Sequence, residues 1–348
     1  MCLILPGVNF FRRNLSSING LKVLFFGTDD FGVSILDALN KLRTTSSKIV
    51  QLDVVASTRV QLVNRQNKVI LPPVLQYAED HQLRDICWKT AKVERSFDDF
   101  YDLAVVASFG DFIPSSFISM FSRGAINIHP SLLPRWRGPA PLVHTLLAAD
   151  EQTGVSVIEL SKKKFDVGRI LHQEKIQVPN QCTYEQLFTC LSKLSADLIP
   201  YVVDNLDDLL KNATEQNEAF ATHAPKVDKK SGRINFKCHK CADTDRMQRA
   251  LPKKLGLSSY WNGMQIKIGN IIRMDAQTDN DSVVTGTCRY DKKSNSLALK
   301  MKDGWIYFES VKVQNRKKIS ARSFYNGYIV NKNTRDENEI KFENFQTD

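Results

Sequence analysis

What the chain lacks narrows its possible functions first. It has no run of about 18 apolar residues, the length a helix needs to cross a bilayer, so a helical membrane span is not expected. Cysteine is sparse: Cys2, Cys87, Cys182, Cys190, Cys238, Cys241 and Cys288 are scattered over 348 residues. Seven is an odd number, and such a set reads as reduced thiols rather than a disulfide framework. Glycine-rich phosphate loops are missing too. In Gly27-Thr28-Asp29-Asp30-Phe31-Gly32 the glycine spacing suggests one, but Val33-Ser34 stands where lysine and a hydroxyl residue belong. The three-glycine dinucleotide spacing is also missing, so the segment reads as a structural turn. Cys238-His239-Lys240-Cys241 has two cysteines at zinc spacing but no second pair nearby, and no metal is expected. Acidic residues are absent from the first twenty positions, which carry Arg12, Arg13 and two serines. That composition fits a mitochondrial targeting segment over 1–20, with a frayed terminus as the plain alternative.

What is present is unevenly distributed. Residues 225–348 hold 25 Lys and Arg against 14 Asp and Glu, a net charge of +11, whereas residues 1–224 carry −1. A basic domain on a neutral one points to a polyanionic partner, usually nucleic acid, although a solvated lysine-rich surface has the same composition. Short apolar runs at 21–27, 52–56, 103–107, 125–128 and 155–160 alternate with helical patterns. This predicts an α/β domain with a doubly wound, mainly parallel sheet. Thr183-Tyr184-Glu185-Gln186 is a capping box, and Leu187, Leu191, Leu194 and Leu198 line one face of the helix it opens. From about Pro225 the segments 264–274, 283–288, 296–301 and 305–313 are short and alternating, with a turn at 291–294 and Asp303-Gly304 as a hairpin signal. They predict a small C-terminal β-barrel of the OB-like kind. The expected layout is a targeting segment (1–20), a catalytic domain (21–204), a linker (205–224), a basic β domain (225–331) and a loose polar tail (332–348).

The chemistry concentrates after the fourth run, in Asn-Ile-His-Pro-Ser-Leu-Leu-Pro-Arg-Trp-Arg-Gly from Asn127. Asn127 and His129 are two apart on a strand, so they share a face, at the strand end where open α/β sheets place their sites. Pro130 and Pro134 stiffen the exit. A held amide and imidazole can stabilise an oxyanion, although a strand-end histidine is often only hydrogen-bonded.

Asn127-x-His129-x-Ser131-Leu132-Leu133-Pro134, followed by Arg137-Gly138, resembles the signature of the folate-dependent formyltransferases. Phe165-Asp166-Val167-Gly168 is similar to their Asp-x-Gly segment, and residues 108–114 to the loop lining their pterin pocket. Across residues 21–331 the chain resembles the methionyl-tRNA branch: Gly27-Thr28-x-x-Phe31, Ala221-Thr222-x-Ala224-x-Lys226 and Arg233-Ile234-Asn235-Phe236 all fit. The resemblance implies Asn127, His129 and Asp166 as catalytic residues. It also implies 10-formyltetrahydrofolate as co-substrate, contacted by Phe109, Gly110, Ile113, Ser131, Leu132, Leu133 and Pro134. Initiator methionyl-tRNA would be the acceptor, met by Arg59, Arg65 and Lys68 in the loop after the second strand. Arg316, Lys317 and Lys318, in the basic domain, are further candidates for the tRNA backbone. The implied setting is the mitochondrial matrix, with no membrane and no obligate protein partner. The chain departs from the pattern at Asp29, where proline is usual, at Val167, where threonine is usual, and at Phe109, where tyrosine is common. Other amine acceptors, such as a sugar nucleotide, and a non-catalytic RNA-binding role are the alternatives.

Overall fold

The computed structural model describes residues 20–56, the backbone of 61–63 and 68–70, then 71–94, 97, 99–161, 164–275, 283–330 and 339–345. Residues 1–19 of the expected targeting segment lie outside the described residues, as do Arg59 and Arg65.

In the first half, strands β1 (Leu21–Gly27), β2 (Ile49–Ala56), β3 (Gln61–Val63), β4 (Lys68–Ile70), β5 (Asp85–Cys87), β6 (Leu103–Ala107), β7 (Ala125–His129), β8 (Gln152–Glu159) and β9 (Ile170–Gln177) follow one another. Helices α1 (Asp30–Thr45), α2 (Pro73–Asp80), α3 (Trp88–Glu94), α4 (Ser115–Ile118), α5 (Pro141–Leu147), α6 (Tyr184–Asp204) and α7 (Leu206–Lys211) connect and follow them. Seven strands form one sheet in the order β5-β2-β1-β6-β7-β8-β9. β5 to β7 run parallel, and β8 and β9 join antiparallel. Among the described residues β3 and β4 pair only with each other, and Lys68 is on β4.

Strand alternation decides what each face buries. On β1, Val23 and Phe25 face α1 and α6, while Leu24 and Phe26 face the opposite layer with Trp88, Phe109, Phe117 and Phe121. Phe26 meets Trp88, Phe109 and Phe121 edge to face at 5.7, 5.2 and 6.4 Å, so this second layer is built from aromatics. Both faces are covered, which is why the central strands read as unbroken apolar runs. The chain turns back on itself between β1 and β6, and the crevice beyond their carboxyl ends is where an open sheet of this type keeps its site. The capping box at Thr183 and Gln186 forms as the sequence predicts.

The second half contains α8 (Cys241–Ala250), β10 (Leu257–Trp261), β11 (Met264–Ile268), β12 (Ile271–Asp275), β13 (Thr287–Asp291), β14 (Ser296–Met301), β15 (Gly304–Phe308), β16 (Ser310–Val313), β17 (Ile319–Ser320), α9 (Ala321–Phe324) and β18 (Glu339–Lys341). The expected barrel takes the form of two antiparallel sheets, β10-β11-β16-β17 and β12-β15-β14-β13-β18. The chain passes directly from one to the other at residues 269–270 and at Glu309, so the predicted strands 264–274 and 305–313 are each two strands bent at a corner. Gly269 makes one corner possible: a Cβ there would lie 2.2 Å from Ser310 Oγ. The segment expected at 283–288 is displaced, because β13 begins at Thr287.

One expectation needs correction. The polar tail is not loose throughout: β18 pairs with β13, and Phe342 is buried in the core beside Phe236 and Cys288. One large apolar side chain and a free strand edge outweigh the polar residues around them. The polar stretch 205–224 reads in the sequence as a late helix running into a linker; its helix is α7, and the rest buries Gln216 and runs along the loop after β7.

Candidate active site

The site is assembled by three strand ends and two loops. β7 delivers Asn127 and His129 to the same side, and His129 is 5% exposed. His129 Nε2 lies 2.9 Å from the Trp136 carbonyl oxygen. A carbonyl only accepts, so Nε2 carries a proton and donates. That leaves Nδ1 facing Asp166 Oδ1 at 3.6 Å. Asn127 Nδ2 donates to the same Oδ1 at 3.2 Å, and the Gly138 N–H donates to Oδ2 at 2.9 Å.

Asp166 has φ +56, Trp136 φ +64 and Gly138 φ +119. Left-handed residues on both loops bring the carboxylate and the amide together, and such clusters typify functional sites. A Cβ at Gly138 would lie 2.8 Å from the Ala224 carbonyl, so no side chain fits there without movement.

A brace from the linker holds this arrangement. Gln216 Nε2 donates to the carbonyls of Asp166 and Gly168 at 2.9 and 2.8 Å. Its Oε1 accepts from Arg137 Nε and Nη2 at 3.0 and 2.7 Å. Arg137, 5% exposed, also pairs with Glu218 at 2.8 Å, which holds the Glu218 carboxyl below the usual range. Thr222 Oγ1 accepts from the Trp136 N–H, and the Ala224 N–H donates to the Arg137 carbonyl. Gln216, Glu218, Thr222 and Gly138 were not singled out as site residues from the sequence. Gly138 and Thr222 appeared there only as members of the resembling patterns Arg137-Gly138 and Ala221-Thr222-x-Ala224, and Gln216 and Glu218 in none.

Asn127, His129, Asp166, Phe109, Gly110 and Ile113 line one cavity of about 570 Å³. Ser131, Leu132, Leu133 and Pro134 do not line it, although they were expected to touch a cofactor. They form the loop beneath: Ser131 Oγ donates to the Arg135 carbonyl, and Ser156 and Gln173 bond to the main chain of Ser131 and Leu133. Residues with small or branched side chains next to two prolines read equally well as wall or as support, and here they support. Asp29, Phe31, Tyr184 and Phe188 line the same cavity, with Val227 and Pro252 from the second half of the chain. Burial pushes the Asp29 carboxyl above its ordinary range, against the N–H groups of Gly32 and Phe31 and the Ser108 hydroxyl, which lower it.

Arg316, Lys317 and Lys318 are exposed in the turn between β16 and β17, well separated in sequence from the cavity walls. At the candidate zinc motif, Cys241 is buried at the start of α8 and its N–H donates to Asp303, while His239 Nδ1 accepts from the Asn235 N–H.

Residues 21–203 match the formyl transferase family, and 226–329 match the formyl transferase C-terminal domain. This chain belongs to the formyl transferase family. Among curated relatives, this formyl transferase is 34% identical over 321 residues to the mitochondrial methionyl-tRNA formyltransferase of Homo sapiens, covering 88% of this chain and 78% of that protein. It is 29% identical over 318 residues to the methionyl-tRNA formyltransferase of Caldicellulosiruptor saccharolyticus, covering 90% and 98%. Among solved structures, its fold is similar to the Helicobacter canadensis N-formyltransferase in complex with folinic acid and dTDP-3-aminofucose. The TM-score is 0.57 at 16% identity, over 86% of this chain and 100% of that one.

Proposed function

We propose that this formyl transferase moves the formyl group of 10-formyltetrahydrofolate to the α-amine of initiator methionyl-tRNA, in the mitochondrial matrix. The observation that carries the chemistry is the meeting of Asn127, His129 and Asp166 in the wall of one cavity. The acceptor follows from the relatives: proteins named methionyl-tRNA formyltransferase align along most of the chain, both halves included. The mitochondrial relatives and the acid-free composition of residues 1–20 support the matrix location.

The cavity suits a folate head group. Its volume is in the usual range for a small-molecule site, and Val106, Phe109, Ile113 and Leu160 give it apolar walls at the ends of β6 and β8. Phe109, Gly110 and Ile113 hold the co-substrate, whose role is to supply the formyl carbon. Asn127 has two amide N–H groups. One is engaged by Asp166, and the other is available to the oxygen that gains charge when the amine attacks. Because Nε2 is tied to Trp136, His129 acts through Nδ1. Asp166 orients that nitrogen and organises a water that takes the proton from the amine. The nitrogen–carbon bond of the formyl-amine forms as the bond from carbon to the donor nitrogen breaks, and that nitrogen recovers the proton.

The test is to incubate the protein with 10-formyltetrahydrofolate and methionyl-tRNA and measure formyl-methionyl-tRNA. Product that is lost in His129→Ala supports the reading. Tight tRNA binding without product would replace it with an RNA-binding role. Turnover of small amines without RNA would replace the acceptor.

A further inference from the structure

Asp150 does not line the cavity. It sits in the turn between α5 and β8, and its side chain is 13% exposed. The carboxylate takes three N–H groups. Oδ2 accepts from Arg135 Nε at 2.8 Å and from Trp136 Nε1 at 2.7 Å, and Oδ1 accepts from Arg135 Nη2 at 2.5 Å. The Arg135 guanidinium lies over the indole, 4.3 Å from the ring centre.

Trp136 is what these contacts hold in place. Its φ of +64 is an outlier for a bulky side chain, and such a conformation persists only where the surroundings over-determine it. Here they do. The Trp136 main-chain N–H donates to Thr222 Oγ1 at 2.9 Å, the indole N–H to Asp150, and the guanidinium covers the ring. The carbonyl is then left aimed at His129, whose Nε2 donates to it at 2.9 Å. Glycine would reach this φ without strain, but it has no ring for Asp150 to hold. The tryptophan therefore links a carboxylate outside the cavity to an imidazole that lines it.

His129 needs that link. A neutral imidazole carries its proton on either nitrogen, and the bond made by one nitrogen decides the state of the other. Asp166 Oδ1, 3.6 Å from Nδ1, favours a proton there, whereas the Trp136 carbonyl requires one on Nε2. We propose that Asp150 is a positioning residue for His129: by holding the Trp136 indole it fixes the carbonyl that keeps the proton on Nε2 and leaves Nδ1 to the reaction. This deepens the function proposed above and rests on His129 acting through Nδ1. Asp150 makes and breaks no covalent bond.

Asp150→Asn keeps the size and one accepting oxygen but loses the second acceptor and the charge. Long-range proton–nitrogen correlation spectra of the full chain, labelled in histidine, show which ring nitrogen bears the proton. They are recorded well above the ordinary histidine pKa of about 6.5. The His129 signals are those lost in His129→Ala. The wild type should carry the proton on Nε2, and the variant should shift it toward Nδ1. With 10-formyltetrahydrofolate and methionyl-tRNA, kcat should fall roughly a hundredfold, as for a small misplacement of a reacting group, while both KM values stay near wild type. Trp136→Phe keeps a ring and removes the indole N–H. It should move both readouts the same way, and it decides the matter if Asp150→Asn does not fold. A wild-type proton on Nδ1, or unchanged ring signals or kcat in the variants, would overturn the proposal while leaving formyl transfer intact. Lower kcat with unchanged ring signals would leave Asp150 a structural role only. The spectra need no acceptor, so the expected signals without formyl-methionyl-tRNA would overturn the proposed function and keep the positioning of His129.

Discussion

Asp166 adopts φ +56, a conformation that aspartate tolerates better than most side chains, and it divides its two oxygens between Asn127 and Gly138. One substitution tests the role of a neighbour. Asn127→Ala should lower kcat by about a hundredfold or more, the usual cost of one oxyanion donor, while the melting temperature changes little. Rapid-quench measurement of formyl transfer checks it, and near-normal turnover would remove Asn127 from the chemistry. Asp29 gives a pH-dependent prediction of opposite character. Its folded pKa is raised, so the folded state favours the neutral form. The ionised group therefore costs stability above its folded pKa, and the cost disappears below the ordinary value of 3.8. Asp29→Asn should melt at least as high as wild type at pH 7, and the advantage should vanish on acidification. Differential scanning calorimetry across pH reads this directly.

At the level of elements, the linker is the part that matters most and was least legible. Strand-end residues Asn127 and His129 could be placed from the sequence because β7 is a short apolar run and residues two apart share a face. Asp166 needed the resemblance, since nothing in local periodicity brings a residue 39 positions away to Asn127. Gln216 had no signal at all: a glutamine in a polar stretch looks exposed until its partners, Arg137 and two carbonyls, are seen in space. Gln216→Ala would leave the buried Arg137 guanidinium with Glu218 as its remaining side-chain partner and free the Asp166 loop. The expected loss is about 1–3 kcal/mol in stability, with a drop in kcat larger than any change in the KM for folate. Urea unfolding combined with kinetics tests both parts. The corners of the C-terminal sheets were hidden for a similar reason. Alternation runs on through Gly269 and Glu309, and only the close approach of Ser310 shows that the chain bends there. Gly269→Ala should destabilise by about 1–3 kcal/mol through overpacking at that corner, read as a lower melting temperature.

Across the whole molecule, charge and chemistry are separated. The positive excess lies in residues 225–348, and the exposed Arg316, Lys317 and Lys318 sit in a turn remote in sequence from the cavity. Replacing all three by alanine should raise KM for methionyl-tRNA, leave kcat near wild type, and flatten the salt dependence by roughly one unit of slope per lost phosphate contact. An unaltered salt slope would send the contact elsewhere on the basic half. This asymmetry was visible in the composition because it needs only a count. Its meaning as a surface needed the fold.

The cavity also takes part of its wall from the second half, through Val227 and Pro252. A protease cut or a premature stop codon after α6 would leave the three reactive side chains on a fragment whose cavity is missing a wall. Such a fragment should be silent rather than promiscuous, so damage to the chain would not release an unguided acylating agent among the free amines around it.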